Sequence, residues 1–183
     1  MKYPSLLVIS DSHDDTASLE SAMRWGMKRG VDALVFLGDG SAGFPQAAAS
    51  AGFTLPWKMV RGNTDALSSA PCIDTLSFAG HVFFLTHGHL SGVDKDLGAI
   101  TGAAKSAGCD AALYGHTHVP YWEEIDGILV LNPGSAGKPR SAAGACFATI
   151  ECPPGEWFII RYWKIEGAPG RSKKIREISQ VFH

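Results

Sequence analysis

The chain has 183 residues, 45% of them hydrophobic and 19% charged, and a net charge of -2 at pH 7. A chain of this length buries about 70% of the surface its unfolded form exposes, so a single domain is expected. The near-neutral charge excludes a global basic field for gripping a nucleic-acid backbone, and no apolar run reaches the roughly 20 residues that span a bilayer. Neither a nucleic-acid partner nor a membrane is expected. Cys72, Cys109, Cys146 and Cys152 show no C-x-x-C spacing. With no export signal in view they read as reduced thiols of a cytoplasmic protein.

Leu6-Leu7-Val8-Ile9 is too short for a signal-peptide core and has the pattern of a strand buried on both faces. Leu19, Met23 and Met27 follow at helical spacing, and Gly30 ends that helix. Residues 31–37 read as a second buried strand, 46–51 as a short helix and 57–60 as a third strand. This alternation argues a largely parallel sheet. Beyond it, 73–78 and 82–85 flank Ala79-Gly80 as a hairpin, a helix is expected over 94–107, and a strand over 111–114. The remainder reads as antiparallel: 119–125 and 128–131 around Asp126-Gly127, then 145–151 and 157–165 around Pro153-Pro154-Gly155. The expected class is α/β, shading into α+β: two mixed β-sheets packed face to face and flanked by helices. One domain is expected over 1–166 and a tail over 167–183.

Arg171, Lys173, Lys174 and Arg176 make the tail basic. It reads as a solvated end, with an anion-attracting arm as the alternative. Ile175, Ile178 and Val181 or Phe182 repeat at near-helical spacing, so a helix packed back on the core is one expectation. Trp122, Phe147, Trp157, Phe158, Tyr162 and Trp163 exceed what one sheet face needs. Either the tail or a second copy of the chain would cover the surplus, and a homodimer is expected.

Asp11-Ser12-His13, Gly38-Asp39, Gly62-Asn63, His87 and Gly115-His116-Thr117-His118 each follow an expected strand. Ligands of open α/β sheets bind beyond the carboxyl ends of strands, so these loops should converge on one cleft. Carboxylate, amide and imidazole donors suit Mn, Fe, Zn or Ni. Taken singly, each motif also reads as a turn residue or a surface histidine. Arg61, Lys138 and Arg140 stand nearby as cations able to meet a substrate phosphate.

In this order, D-x-H, G-D, G-N-x-D, H and G-H-x-H resemble the calcineurin-type metallophosphoesterase superfamily. Gly62-Asn63-Thr64-Asp65, Thr86-His87-Gly88-His89 and Leu131-Asn132-Pro133-Gly134-Ser135 are similar to its small bacterial and archaeal phosphodiesterase branch, which also includes the retromer subunit Vps29. The resemblance implies a four-layer αββα sandwich and two divalent metal ions. Asp11, His13, Asp39 and His118 would hold one ion; Asp39, Asn63, His87 and His116 would hold the other, with Asp39 bridging. It further implies hydrolysis of a small phosphodiester by a hydroxide bridging the metals. Many members carry a proton-donating His where this chain has Thr64, so diesters with good leaving groups are expected to outpace monoesters. Asn63 and His89 are the catalytic candidates, His89 as substitute proton donor; Arg61, Thr64 and Arg140 are expected at the substrate. The same branch supplies a second reading, a non-catalytic protein-interaction scaffold like Vps29. The complete ligand set favours catalysis.

Overall fold

Alternate residues of the first strand face opposite layers, and that alternation organises the molecule. In the computed structural model, which describes residues 3–167 and 173–179, β1 (Ser5–Ile9) turns Leu6 and Val8 into one apolar cluster and Leu7 and Ile9 into another. All four side chains are fully buried, which is why the run carries no polar alternation. The chain continues through α1 (Thr16–Arg29), β2 (Ala33–Phe36), α2 (Phe44–Ala51) and β3 (Trp57–Met59), then the hairpin of β4 (Ile73–Phe78) and β5 (His81–Thr86). α3 (Gly98–Ser106) and β6 (Ala111–Leu113) lead to a second hairpin, β7 (Pro120–Ile125) and β8 (Ile128–Pro133). β9 (Cys146–Glu151), β10 (Ile159–Glu166) and β11 (Lys174–Ile178) follow.

The strands form a six-stranded sheet, ordered β11-β10-β9-β1-β2-β3, and a five-stranded sheet, ordered β4-β5-β6-β8-β7. β1, β2 and β3 run parallel in the first, and β5, β6 and β8 run parallel in the second. Leu6, Val8, Val35 and Leu37 meet Phe83, Leu85, Leu113 and Leu131 in the core between the sheets. α1 and α2 cover the outer face of the first sheet through Leu19, Met23 and Phe44; α3 covers that of the second through Ile100 and Ala104. The expected αββα sandwich is therefore the fold.

α1 begins where the first ligand loop ends. Asp15 caps it by accepting from the Ser18 backbone N–H (3.0 Å) and hydroxyl (2.7 Å), and Gly30 closes it in the left-handed conformation. The helix so fixed holds the preceding loop against the strand ends.

Three expectations are corrected. The helix expected over 94–107 begins only at Gly98. β8 is not purely antiparallel: it pairs antiparallel with β7 but parallel with β6. The tail residues Ile175 and Ile178 lie on a strand, β11, paired with β10, rather than on a helix. An interval of three residues puts them on opposite faces of that strand, Ile175 against the helix layer and Ile178 against the inter-sheet core. Arg171, Val181 and Phe182 fall outside the described residues. Much of the aromatic surplus is covered within the chain, while Trp157 stays 43% exposed. Phe147 and Trp163 pack on Trp25 of α1 with ring centroids 5.2 and 4.4 Å apart, while Phe158 and Tyr162 enter the inter-sheet core. All four cysteines are free thiols, three of them buried.

Candidate metal centre

The parallel strands of both sheets end at the same edge, and each ligand motif sits in the loop just beyond. Backbone hydrogen bonds stitch these loops together: Asp11 N–H donates to Gly38 C=O and His13 N–H to Asp39 C=O, each at 2.9 Å. Asp11, His13, Asp39, His116 and His118 all take positive φ, between 42° and 68°. Left-handed backbone costs a non-glycine residue on the order of 1 kcal/mol or more and concentrates where function dictates geometry. The glycines beside them permit close approach: a Cβ on Gly62 would lie 2.0 Å from Asp39 Oδ1, and one on Gly115 2.7 Å from Asp11 Oδ2.

Asp11, His13, Asp39 and His118 present ligand atoms that all lie within 4.8 Å of one another. His13 Nε2 is 3.1 Å from His118 Nε2, 3.6 Å from Asp39 Oδ2 and 3.8 Å from Asp11 Oδ1. His87 Nε2 lies 3.6 Å from Asp39 Oδ2 and 3.2 Å from Asn63 Oδ1, so Asp39 faces both halves of the site. The His116 ring stands 5.2 Å from that of His87, with its Nε2 3.1 Å from Asp94 Oδ2. The expected first ligand group is thus gathered tightly. The expected second group is adjacent but looser, with Asn63 exposed and His116 half-buried.

The donors are set to hold a cation. His87 Nδ1 lies 2.7 Å from Leu37 C=O and His118 Nδ1 2.5 Å from Lys138 C=O. A carbonyl only accepts, so each neutral ring carries its proton on Nδ1 and turns the Nε2 lone pair into the site. Asp11 Oδ1 is buried, and its close polar neighbour is His118 Nε2 at 3.1 Å, which offers it no proton while that ring is neutral and protonated on Nδ1. A buried carboxylate oxygen without a donor is costly, and a divalent cation would satisfy it. Burial lowers the pKa of His13 despite the carboxylates of Asp39 and Asp11; Asp11 raises that of His118 against the effect of its burial.

The remaining expected residues divide. His89 sits beside the centre, its ring 5.4 Å from that of His87, with a buried Nδ1 lacking a partner and a pKa lowered by burial. Arg61, Asn63 and His89 line a cavity of about 390 Å³ beside the centre. Thr64 contributes through its backbone, its N–H donating to Asp39 Oδ1 at 2.9 Å. Arg140 is exposed; its backbone N–H donates to His118 C=O at 3.3 Å, and its charge opposes protonation of His118.

Three supporting residues were not assigned roles from sequence. Asp65 accepts from four backbone N–H groups, those of Asp39 and Gly62 on Oδ2 and those of Gly40 and Ser41 on Oδ1, at 2.8–3.0 Å. Burial works to raise its pKa, but the donors of Gly62, Gly40 and Ser41 prevail and lower it. Asn132 donates to Gly115 C=O at 2.7 Å, and Ser135 Oγ donates to Asp11 C=O at 2.8 Å. Asp65 was visible as the last residue of Gly62-Asn63-Thr64-Asp65, and Asn132 and Ser135 within the Asn-Pro-Gly-Ser stretch; nothing in the sequence named their partners.

Comparison with known proteins gives a consistent answer. Residues 5–154 match the family model described as "Calcineurin-like phosphoesterase superfamily domain". The chain is 31% identical over 149 residues to "Probable metallophosphoesterase YsnB" of Bacillus subtilis, covering 80% of this chain and 83% of that one. It is 29% identical over 168 residues to "Phosphodiesterase YfcE" of Escherichia coli K12, covering 80% and 86%. The crystal structure of Vps29 from Chaetomium thermophilum shares the fold, with a TM-score of 0.74 over 96% of this chain and 94% of that one at 15% identity.

Proposed function

The chain belongs to the calcineurin-like phosphoesterase superfamily, and from that premise we propose that it hydrolyses small phosphodiesters with the help of two divalent cations. The observation that carries this reading is the converged donor set: Asp11, His13, Asp39 and His118 within 4.8 Å, with His87 and Asn63 continuing it past Asp39. When bound, such cations supply an acidified water and electrostatic stabilisation of phosphoryl oxygens. Asp39, facing both halves, would serve both, and the uncharged donors Asn63, His13 and His87 would leave the loaded site attractive to an anion. Mn, Fe, Zn and Ni all suit these donors.

Preference for diesters follows from what stands next to Asn63. Thr64 has no titratable side chain, so protonation of a poor leaving group lacks a donor at that position. His89 lies beside His87 at this edge of the site, but burial lowers its pKa and so works against its holding the proton that a poor leaving group needs. The kinship with YfcE, named a phosphodiesterase, supports the same substrate class.

The test is hydrolysis of bis(p-nitrophenyl) phosphate after chelation and then readdition of Mn, Ni or Zn. Turnover should vanish and return; no turnover with any of these metals would sink the enzyme reading. The fold shared with Vps29 keeps the scaffold reading as the rival. The convergence of Asp11, His13, Asp39 and His118 disfavours it, because a site kept only as a surface has no use for four ligand atoms gathered within 4.8 Å.

A further inference from the structure

The cavity beside Asn63 has a chemistry of its own. Its walls are Arg61, Asn63, Ala66, Cys72, His89 and Leu90, enclosing about 390 Å³. Arg61 is partly buried, and its Nε donates to Cys72 Sγ at 3.2 Å, which fixes the plane of the guanidinium. Among the described residues that is the only side-chain hydrogen bond Arg61 makes, and it has no ion pair. Asp65, a carboxylate lining the same cavity, spends both oxygens on four backbone N–H groups and offers Arg61 nothing. Leu90 meanwhile stands 69% exposed at this wall, an apolar surface next to a cation that no carboxylate among the described residues pairs with.

We propose that this cavity receives one alcohol arm of the substrate, and that Arg61 recognises a second anionic group carried on that arm. The substrate class is then a phosphodiester whose arm has an apolar or ring body, for Leu90 and Ala66, and a further phosphate or carboxylate, for the guanidinium. A phosphorylated nucleoside ester has this chemistry. The planar guanidinium suits two-point pairing with such a group, and Cys72 is the positioning residue that aims it. The inference rests on the phosphodiesterase reading for its chemistry but concerns only the arm that stays on phosphorus when the other is expelled.

Two probes isolate the added charge: the 5′-(p-nitrophenyl phosphate) of thymidine, and the same ester carrying a 3′-phosphate. Leaving group and scissile bond are identical in both. With metal-loaded protein, kcat/KM should favour the phosphorylated probe by about tenfold, almost entirely through KM. Arg61→Ala should bring the ratio near one and Arg61→Lys should keep part of it. Cys72→Ala should raise KM for the phosphorylated probe while leaving its kcat in place. A ratio near one in the unmodified protein, or a ratio that survives Arg61→Ala, overturns the inference while leaving the phosphodiesterase reading intact. If neither probe turns over, the phosphodiesterase reading fails by itself. Calorimetry then still decides the inference: thymidine 3′,5′-bisphosphate should bind about tenfold tighter than thymidine 5′-monophosphate, and equal affinities would overturn it.

Discussion

The two halves of the metal centre are built differently. Asp11, Asp39 and His118 are almost wholly buried, and with His13 they are held by left-handed backbone and inter-loop hydrogen bonds. On the other side of Asp39 only His87 is buried: Asn63 is exposed, and His116 is half-buried with its Nε2 on Asp94. One half is preorganised by the folded chain; on the proposed reading the other would complete itself as its ligand binds. Preorganisation lowers the cost of binding, so the first half should hold its cation more tightly.

Breaking the shared residue should have the largest effect. Asp39→Ala removes a donor from both halves, and turnover of bis(p-nitrophenyl) phosphate should fall by on the order of 10³-fold or more at saturating metal. A variant with near-normal kcat would mean that the two halves do not share Asp39. His116→Ala touches the loose half alone. It should weaken one cation and spare the other, and equal weakening of both would erase the comparison.

The frame behind both halves is tested through Asp65. Replacing it by Ala strands four buried N–H donors. Urea unfolding should show a loss of about 3 kcal/mol or more, each unsatisfied buried group costing roughly 1–3 kcal/mol. A loss under about 1 kcal/mol would place the loop geometry under other control. A smaller effect is expected at Thr64. Thr64→His should raise monoester turnover relative to diester turnover by about tenfold, less than the roughly 10²–10⁴-fold that a well-placed acid supplies because the introduced ring has no partner to orient it. An unchanged ratio would remove the proton-donor argument.

Thiol chemistry distinguishes the same regions at the smallest scale. Burial pushes Cys146 and Cys152 up to about 12, whereas Cys72 is only partly buried at the site cavity. Iodoacetamide at pH 8.5 should label Cys72 well before either of the others in folded protein. The unfolded thiols titrate near 9.0, below their folded values. The folded state therefore holds those protons more tightly: the contribution is complete below pH 9 and is lost as pH rises toward 12. A urea midpoint that fails to fall over that window contradicts the burial of the two thiols.

Most of this plan was legible in the chain. Leu6-Leu7-Val8-Ile9 announced a strand buried on both faces, and every ligand motif stood one or two residues beyond an expected strand. That is enough to bring the loops to one edge of a parallel sheet. β11 was misread for a definite reason: two apolar residues three apart serve a helix stripe and a two-faced strand equally well. Trp25 was not foreseen as the cover for Phe147 and Trp163, because a helix interior residue shows its partner only once the helix is docked. The unequal tightness of the two halves was also invisible. Motif spacing gives the same weight to Asn63 as to Asp11, while burial separates them.

The most direct test is a metal titration of chelator-treated protein followed by calorimetry, counting cations per chain. The account predicts two, with the tighter one surviving Asn63→Ala and lost in Asp11→Ala. No saturable binding, or two equal affinities untouched by Asp11→Ala, would contradict it.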